Sequence, residues 1–226
     1  MSEKQTFPFI PYTRERLSDE EMVSRSKDYL DFMDERRTVR DFSEDPVPRE
    51  VLENIIMAAS TAPSGAHKQP WTFCLLDKIE LRTRLRALAE EEEHKSYHGR
   101  MSEQWLKDLA PLGTDWNKPF IEEAPWIIVV FKRVYEYDEE NAKRNNYYVN
   151  ESVGLACGFL LAAIHHAGLV ALTHTPSPMN FLSKALDRPE NERPYLLIPV
   201  GHPKDDATVP ELYRKPLEKV AVYYGE

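Results

Sequence analysis

Apolar positions along the chain follow two rhythms that take turns. In residues 18–35, Met22, Leu30 and Met33 mark a partly apolar face, and Ser18 stands in capping-box spacing with Glu21. That pattern predicts an amphipathic helix. Residues 48–60 (PREVLENIIMAAS) place Val51, Leu52, Ile55, Ile56 and Ala59 at helical spacing behind Pro48, which suits a helix start. WTFCLL at 71–76 reads as a buried strand, 78–93 as a helix with Leu81, Leu85 and Leu88 inward, and WIIVVF at 126–131 as a second strand. Residues 147–167 are apolar nearly all round, which predicts a central helix. LVALT (169–173) and YLLIPV (195–200) read as two further strands, and all four look buried on both faces. Helices alternating with such strands predict an α+β or α/β sandwich with helices on the sheet.

Two stretches break the rhythm. Residues 94–120 mix Tyr97, Trp105, Trp116 and Phe120 with charges, Pro111 and Gly113, as a lid, a partner surface or a peripheral helix pair would. From 202 to 226, Pro203, Pro210 and Pro216 forbid a long helix. The closing VAVYY has the makings of an edge strand, added to this chain or to a partner.

Composition narrows the function classes. The 226 residues carry a net charge of -9 with no basic block, which argues against nonspecific nucleic-acid binding. Cys74 and Cys157 are too few for a disulfide framework or a four-thiolate zinc site, and their apolar surroundings predict inert buried thiols. The N-terminal MSEKQTFPFIPYTRERL has no apolar signal core. The apolar run 154–172 is interrupted by His165, His166 and Gly168, so a buried helix is expected rather than a membrane span. A cytoplasmic protein is the expectation.

G-x-S-x-G, G-x-x-x-x-G-K and G-x-G-x-x-G motifs are all missing. His94 and His98 are spaced to share a helix face, but no third ligand is indicated and no metal is expected. The densest positive block is RRTVR, with Arg36, Arg37 and Arg40. It reads either as a phosphate site or as a solvated helix C-terminus. TAPSGAHKQPW at 61–71 is a turn whose amides can face a ligand, or a plain connection. LTHTP at 172–176 ends a predicted strand, where open sheets hold ligands. ELYRKP adds Arg214 and Lys215 near the far end.

The order RRTVR, APSGAHKQPW, ESVGLACGFLLAAIHHAGL, THTP, LYRKP resembles the nitroreductase-fold flavoproteins over about residues 30–220. Within them, the insertion EEEEHKSYHGRMSEQWLKDLAPLGTDWNKPF resembles the iodotyrosine deiodinase family. Its Glu93, Tyr97 and Lys118 stand where that family binds the amino acid part of a halotyrosine, a trio that general nitroreductases lack. Mammalian members carry an N-terminal membrane anchor that is not seen here, so a soluble bacterial homologue is expected. The physical reading agrees: Glu93 and Tyr97, four apart, face one ligand on a helix. Glu93 suits an ammonium, and Lys118 with the Tyr97 hydroxyl suits a carboxylate.

The resemblance implies one α+β domain over 1–226, a nitroreductase-like α-β-α sandwich with a central mixed sheet flanked by helices. It further implies a lid at about 91–120 and a dimer-exchange tail at about 202–226. It implies bound FMN, with Arg36, Arg37 and Arg214 on the phosphate and Thr38 and Arg40 nearby. Pro63, Ser64 and Gly65 would line the ring system. Thr173 would be the catalytic residue, donating to the flavin N5, with His174 and Thr175 flanking it, although the family's stretch is threonine-rich where His174 stands. The substrate phenolate would be held by the Ala66 amide and a ribityl hydroxyl. The implied reaction is reduction of mono- and diiodotyrosine, and of bromo- and chlorotyrosine, to tyrosine and halide by one-electron steps. An NAD(P)H-linked reductase or reduced flavodoxin or ferredoxin would supply electrons to a homodimer. The rivals are a general FMN nitroreductase or quinone reductase, a non-catalytic flavin or tyrosine binding protein, and a protein-interaction surface without flavin.

Overall fold

The computed structural model describes residues 7–225. Residues 1–6, the head of the stretch read as lacking a signal, and Glu226, the end of the proline-rich stretch, lie outside the described residues. The chain forms two compact units, one up to Arg36 and one from Arg37 onward.

The first unit contains helix α1 (Asp19–Asp34), which starts where the Ser18–Glu21 spacing predicts. The Ser18 hydroxyl accepts from the Glu21 amide at 3.2 Å, and the Glu21 carboxylate accepts from the Ser18 amide at 2.9 Å. Two otherwise unpaired helix-end donors are thereby satisfied.

The second unit runs α2 (Arg49–Ser60), β1 (Trp71–Leu76), α3 (Ile79–Lys95), α4 (Glu103–Leu109), α5 (Phe120–Glu123), β2 (Trp126–Arg133), β3 (Tyr135–Tyr137), β4 (Lys143–Asn145), α6 (Val149–His166), β5 (Val170–Ala171), α7 (Asn180–Ala185) and β6 (Glu192–Gly201). The main sheet has the order β1-β2-β6-β5, with every neighbouring pair antiparallel. A parallel bridge between Thr38 and Ala171 adds the segment after Arg37 to its β5 edge. Strands β3 and β4 form a separate hairpin.

Strand period makes three layers. Along β2, Trp126, Ile128 and Val130 pack with Leu52, Ile55 and Ala59 of α2 and Val153, Ala156, Leu160 and Ile164 of α6. Ile127, Val129 and Phe131 face the other way, onto Leu85 and Ala89 of α3, Phe120 and Ile121 of α5 and Leu182 of α7. The fold is the expected helix–sheet–helix sandwich.

Four local expectations change. Strand β1 is not buried on both faces: it lies at the sheet edge with β2 as its one ladder partner, and its middle residues, Cys74 included, are half-buried. Strand β5 stops at Ala171, and its pairing resumes in the same register only at His174 and Leu197. Helix α6 is not enclosed: Leu155 and Phe159 remain 49% and 43% exposed on the face away from the sheet. VAVYY adds no strand to this chain, and Val222, Tyr223 and Tyr224 are exposed.

Candidate active site

Helix α3 continues from Lys95 into a wider π-helical turn, Ser96–Arg100, so Glu93 and Tyr97 share one side of a continuous helical stretch. Glu93 is buried there among polar neighbours. Gly113, in the left-handed conformation (φ 60°), ends a short 3₁₀ turn and directs the chain through Thr114 to Lys118, just before α5. Across from them, Thr173, His174 and Thr175 leave the end of β5. Their exposure alternates: the two threonines are exposed and His174 is buried. Arg40 lies on the segment bridged to β5. These elements enclose a cavity of about 220 Å³ lined by Arg40, Glu93, Tyr97, Lys118 and the 173–175 strand end. Met101, Trp105, Leu109 and Leu112 form its apolar wall.

The charges within it are arranged closely. Lys118 Nζ lies 3.6 Å from Glu93 Oε2, with both side chains almost fully buried. Lys118 also donates to Thr114 Oγ1 at 3.2 Å and to the Asp115 carbonyl, and its ammonium sits 5.3 Å from the centre of the Tyr97 ring. The Tyr97 hydroxyl donates to the Thr114 carbonyl at 3.3 Å. Burial pushes the Glu93 carboxyl above its ordinary range, and Lys118 opposes that shift. Burial likewise lowers Lys118, against the pull of Glu93 and Asp115. Burial and then the Glu93 charge raise Tyr97, which keeps its phenol protonated.

Of the residues singled out in the sequence, Glu93, Tyr97, Lys118, Arg40, Thr173, His174 and Thr175 come together around one cavity. It misses Thr114, which serves both Tyr97 and Lys118. The available signal was its position four residues before Lys118 and directly after a turn glycine. His174, expected beside a flavin, has both its backbone groups bonded to Leu197, at 2.8 and 2.9 Å. Its ring Nε2 lies 4.0 Å from Glu93 Oε1.

The 61–71 turn does not line this cavity. Ala66, His67 and Gln69 have positive φ values of 48°, 54° and 47°, so three left-handed residues within four positions shape it. Its Gly65 amide donates to Ser152 Oγ of α6 at 3.2 Å, another contact the sequence did not disclose. Arg37 donates to the Pro210 carbonyl, Thr38 is in the bridge to Ala171, and Arg214 is exposed on the tail. Arg36 belongs to the first unit. His94 and His98 do share a helix face, their rings stacked at 4.0 Å. No helix among the described residues is long and apolar enough to cross a membrane.

A flavin phosphate and ring fit the donors present. Among the described residues, neither Arg37 nor Arg40 has a carboxylate within ion-pairing distance. The exposed hydroxyls of Thr173 and Thr175 make no hydrogen bond within those residues. The remaining donors of Arg37, the Arg40 guanidinium and the two threonine hydroxyls suit an anionic, hydrogen-bonding cofactor.

Comparison with known proteins agrees. The nitroreductase family model matches residues 33–202. Iodotyrosine deiodinase of Haliscomenobacter hydrossis is 61% identical over 98% of this chain and 100% of its own length. Human iodotyrosine deiodinase 1 is 42% identical over 94% of this chain and 74% of its own. A crystal structure of oxidised iodotyrosine deiodinase bound to FMN and 3-iodo-L-tyrosine superposes with a TM-score of 0.74 at 30% identity, covering 87% of this chain and 98% of that one. The chain belongs to the nitroreductase family and, within it, to the iodotyrosine deiodinases.

Proposed function

We propose that this protein is an FMN-dependent oxidoreductase that reductively removes halogen from halotyrosines, iodo-, bromo- and chlorotyrosine alike, releasing tyrosine and halide. The observation that carries this reading is the meeting of one carboxylate, one ammonium and one phenol in a single cavity beside the Thr173–Thr175 strand end. A zwitterion is matched group for group.

Binding opens the Glu93–Lys118 pair without stranding a charge. The substrate ammonium takes the place of Lys118 at Glu93, and the substrate carboxylate takes Lys118 and the Tyr97 hydroxyl. Two buried charges become four, each with a partner, which avoids the cost of an uncompensated buried ion. Met101, Trp105, Leu109 and Leu112 exclude water from these contacts, and residues 91–120 act as the lid.

Arg36, Arg37 and Arg214 hold the FMN phosphate, Thr38 and Arg40 lie near the flavin, and Pro63, Ser64 and Gly65 line its ring system. Reduced FMN supplies two electrons, delivered singly, that with one proton convert the carbon–halogen bond into a carbon–hydrogen bond and halide. Thr173 would donate its hydroxyl to the flavin N5, with His174 and Thr175 flanking it. The Ala66 amide holds the substrate phenolate.

A homodimer accounts for the separation of the 63–66 turn from the cavity within one chain: a second protomer completes the site, and residues 202–226 cross between protomers. The apolar outer face of α6 supports this assembly. Electrons come from an NAD(P)H-linked reductase or from reduced flavodoxin or ferredoxin, and the enzyme works in the cytoplasm.

Titration of the oxidised holoenzyme with diiodotyrosine, followed by flavin fluorescence, tests the reading. Saturable quenching at micromolar ligand, and iodide release under dithionite, are expected. Fluorescence indifferent to the ligand, with steady nitroaromatic reduction, would overturn it in favour of a general nitroreductase. Binding without iodide release would reduce the protein to a binder.

A further inference from the structure

His174 is the one member of the strand end that turns away from its threonine neighbours, and its surroundings are specific. The residue is 9% exposed. Its backbone is pinned to Leu197 in both directions, and its ring packs edge-on against Phe120 with centroids 5.5 Å apart. Position and tilt are thus set by the fold. Yet among the described residues its Nε2 has no hydrogen-bond partner. A buried imidazole nitrogen left unpaired is costly and rare in native structures. The nearest candidate partner is Glu93 Oε1, at 4.0 Å, just beyond bonding distance. The other oxygen of the same carboxylate, Oε2, faces Lys118 at 3.6 Å. Glu93 therefore lies between two groups, leaning on one and just short of the other, on the wall of the cavity that both line.

We propose that His174 is a positioning residue for substrate recognition: when a halotyrosine ammonium draws the Glu93 carboxylate off Lys118, His174 donates its Nε2 proton to Glu93 Oε1 and fixes the carboxylate's aim. The proposal rests on the halotyrosine reading above and adds a residue to it. Two consequences give His174 its value. The Glu93 carboxylate regains a bond as it leaves Lys118, so the buried pair opens at lower cost. Lys118 is then released whole to the substrate carboxylate. Burial, with the Lys118 and Arg40 charges nearby, holds the ring neutral, pushed down to about 3. A neutral ring carries one proton, and an adjacent carboxylate favours placing it on Nε2.

The test compares two ligands on the FMN-loaded enzyme by calorimetry: 3-iodotyrosine, and 2-iodophenol, which keeps the halophenol ring and lacks the amino acid. His174→Phe is expected to weaken iodotyrosine binding about tenfold and leave iodophenol within about twofold of wild type. His174→Gln, which retains an N–H donor, is expected to restore most of the loss. Should the Phe variant not load FMN, His174→Leu, which removes the donor without adding bulk, carries the same comparison. Undiminished iodotyrosine binding in the donor-less variants would overturn the proposal. Equal losses for both ligands would also overturn it, because a merely structural role harms both. A wild-type enzyme that binds iodophenol but not iodotyrosine would instead overturn the halotyrosine reading itself, and the proposal with it. In the wild type, the His174 Nε2 proton should become slow-exchanging in nitrogen-edited NMR on adding iodotyrosine and not on adding iodophenol. A proton unaffected by iodotyrosine counts against the proposal.

Discussion

Lys118 Nζ stands 3.6 Å from Glu93 Oε2, and the two side chains are 4% and 7% exposed. An ion pair this deep contributes little net stability, since desolvation of both groups offsets their attraction. Its use lies in pre-arrangement: the free protein holds one positive and one negative group at the spacing that a zwitterion inserts into. Both residues carry the strain of burial, Glu93 raised and Lys118 lowered, and a ligand that brings opposite charges relieves both.

Removing either member should therefore weaken halotyrosine binding. Glu93→Gln leaves an amide that still accepts from Lys118 but no longer attracts an ammonium. Its halotyrosine affinity is expected to fall more than tenfold, with FMN content unchanged. Lys118→Ala should lose as much affinity and also lower stability, by about 3 kcal/mol, because Glu93 is left as an unpaired buried charge. Calorimetric titration beside thermal melting checks both, and unchanged affinity in both variants would remove the zwitterion assignment.

His174 gives the protein a calculable acid sensitivity. Its ring is pushed from 6.5 down to about 3 in the folded state, first by burial and then by Lys118 and Arg40. Above pH 6.5 both states are neutral and the group has no effect. As pH falls below that, the unfolded chain takes up a proton and the folded one does not. Stability drops by about 1.4 kcal/mol per pH unit from this group. Glu93, raised by burial, works in the opposite sense at lower pH, where the folded form is protonated first. Urea unfolding at pH 7, 6 and 5 should show that slope in wild type and lose it in His174→Gln; parallel curves would contradict the assignment.

Gly65 is a site where one methyl group is expected to matter. A Cβ there would lie 2.7 Å from the Tyr147 carbonyl oxygen and 3.0 Å from the Tyr148 ring. The first of these is backbone and cannot swing aside. Gly65→Ala should cost about 1–3 kcal/mol by forcing the turn off α6. If Pro63, Ser64 and Gly65 line the flavin, the purified variant should also carry less FMN. Thermal melting and the flavin-to-protein absorbance ratio measure the two effects.

The parts of this structure that were legible in the sequence are those governed by local period. The spacing of Leu52, Ile55 and Ala59 marks α2, the run from Trp126 to Phe131 marks β2, and the i,i+4 pair Glu93 and Tyr97 falls on one helical side. What depended on neighbours distant in sequence was hidden. That β1 is an edge strand follows from sheet order, which WTFCLL alone does not encode. Thr114 gains its role only when Gly113 folds it back towards Tyr97 and Lys118. His174 is an intermediate case. Its place opposite Thr173 and Thr175 follows the alternation of an extended segment, whereas its contacts with Leu197, Phe120 and Glu93 come from distant parts of the chain.

The outer face of α6 offers the most direct test of the assembly. A helix apolar on every side needs cover on every side, and one chain covers only the face carrying Val153, Ala156, Leu160 and Ile164. Leu155 and Phe159, four apart, stay 49% and 43% exposed, adjacent on the face that remains. Leu155→Glu with Phe159→Glu places two charges where a second protomer is expected. Since neither side chain is in the core of its own chain, the fold should persist while the dimer is lost. Sedimentation should then report a monomer. Its FMN content should fall with it, because the 63–66 turn would no longer meet the cavity of a partner. A variant that remains dimeric would move the interface elsewhere. A monomer with full FMN content and halide release would show that one chain completes the site by itself.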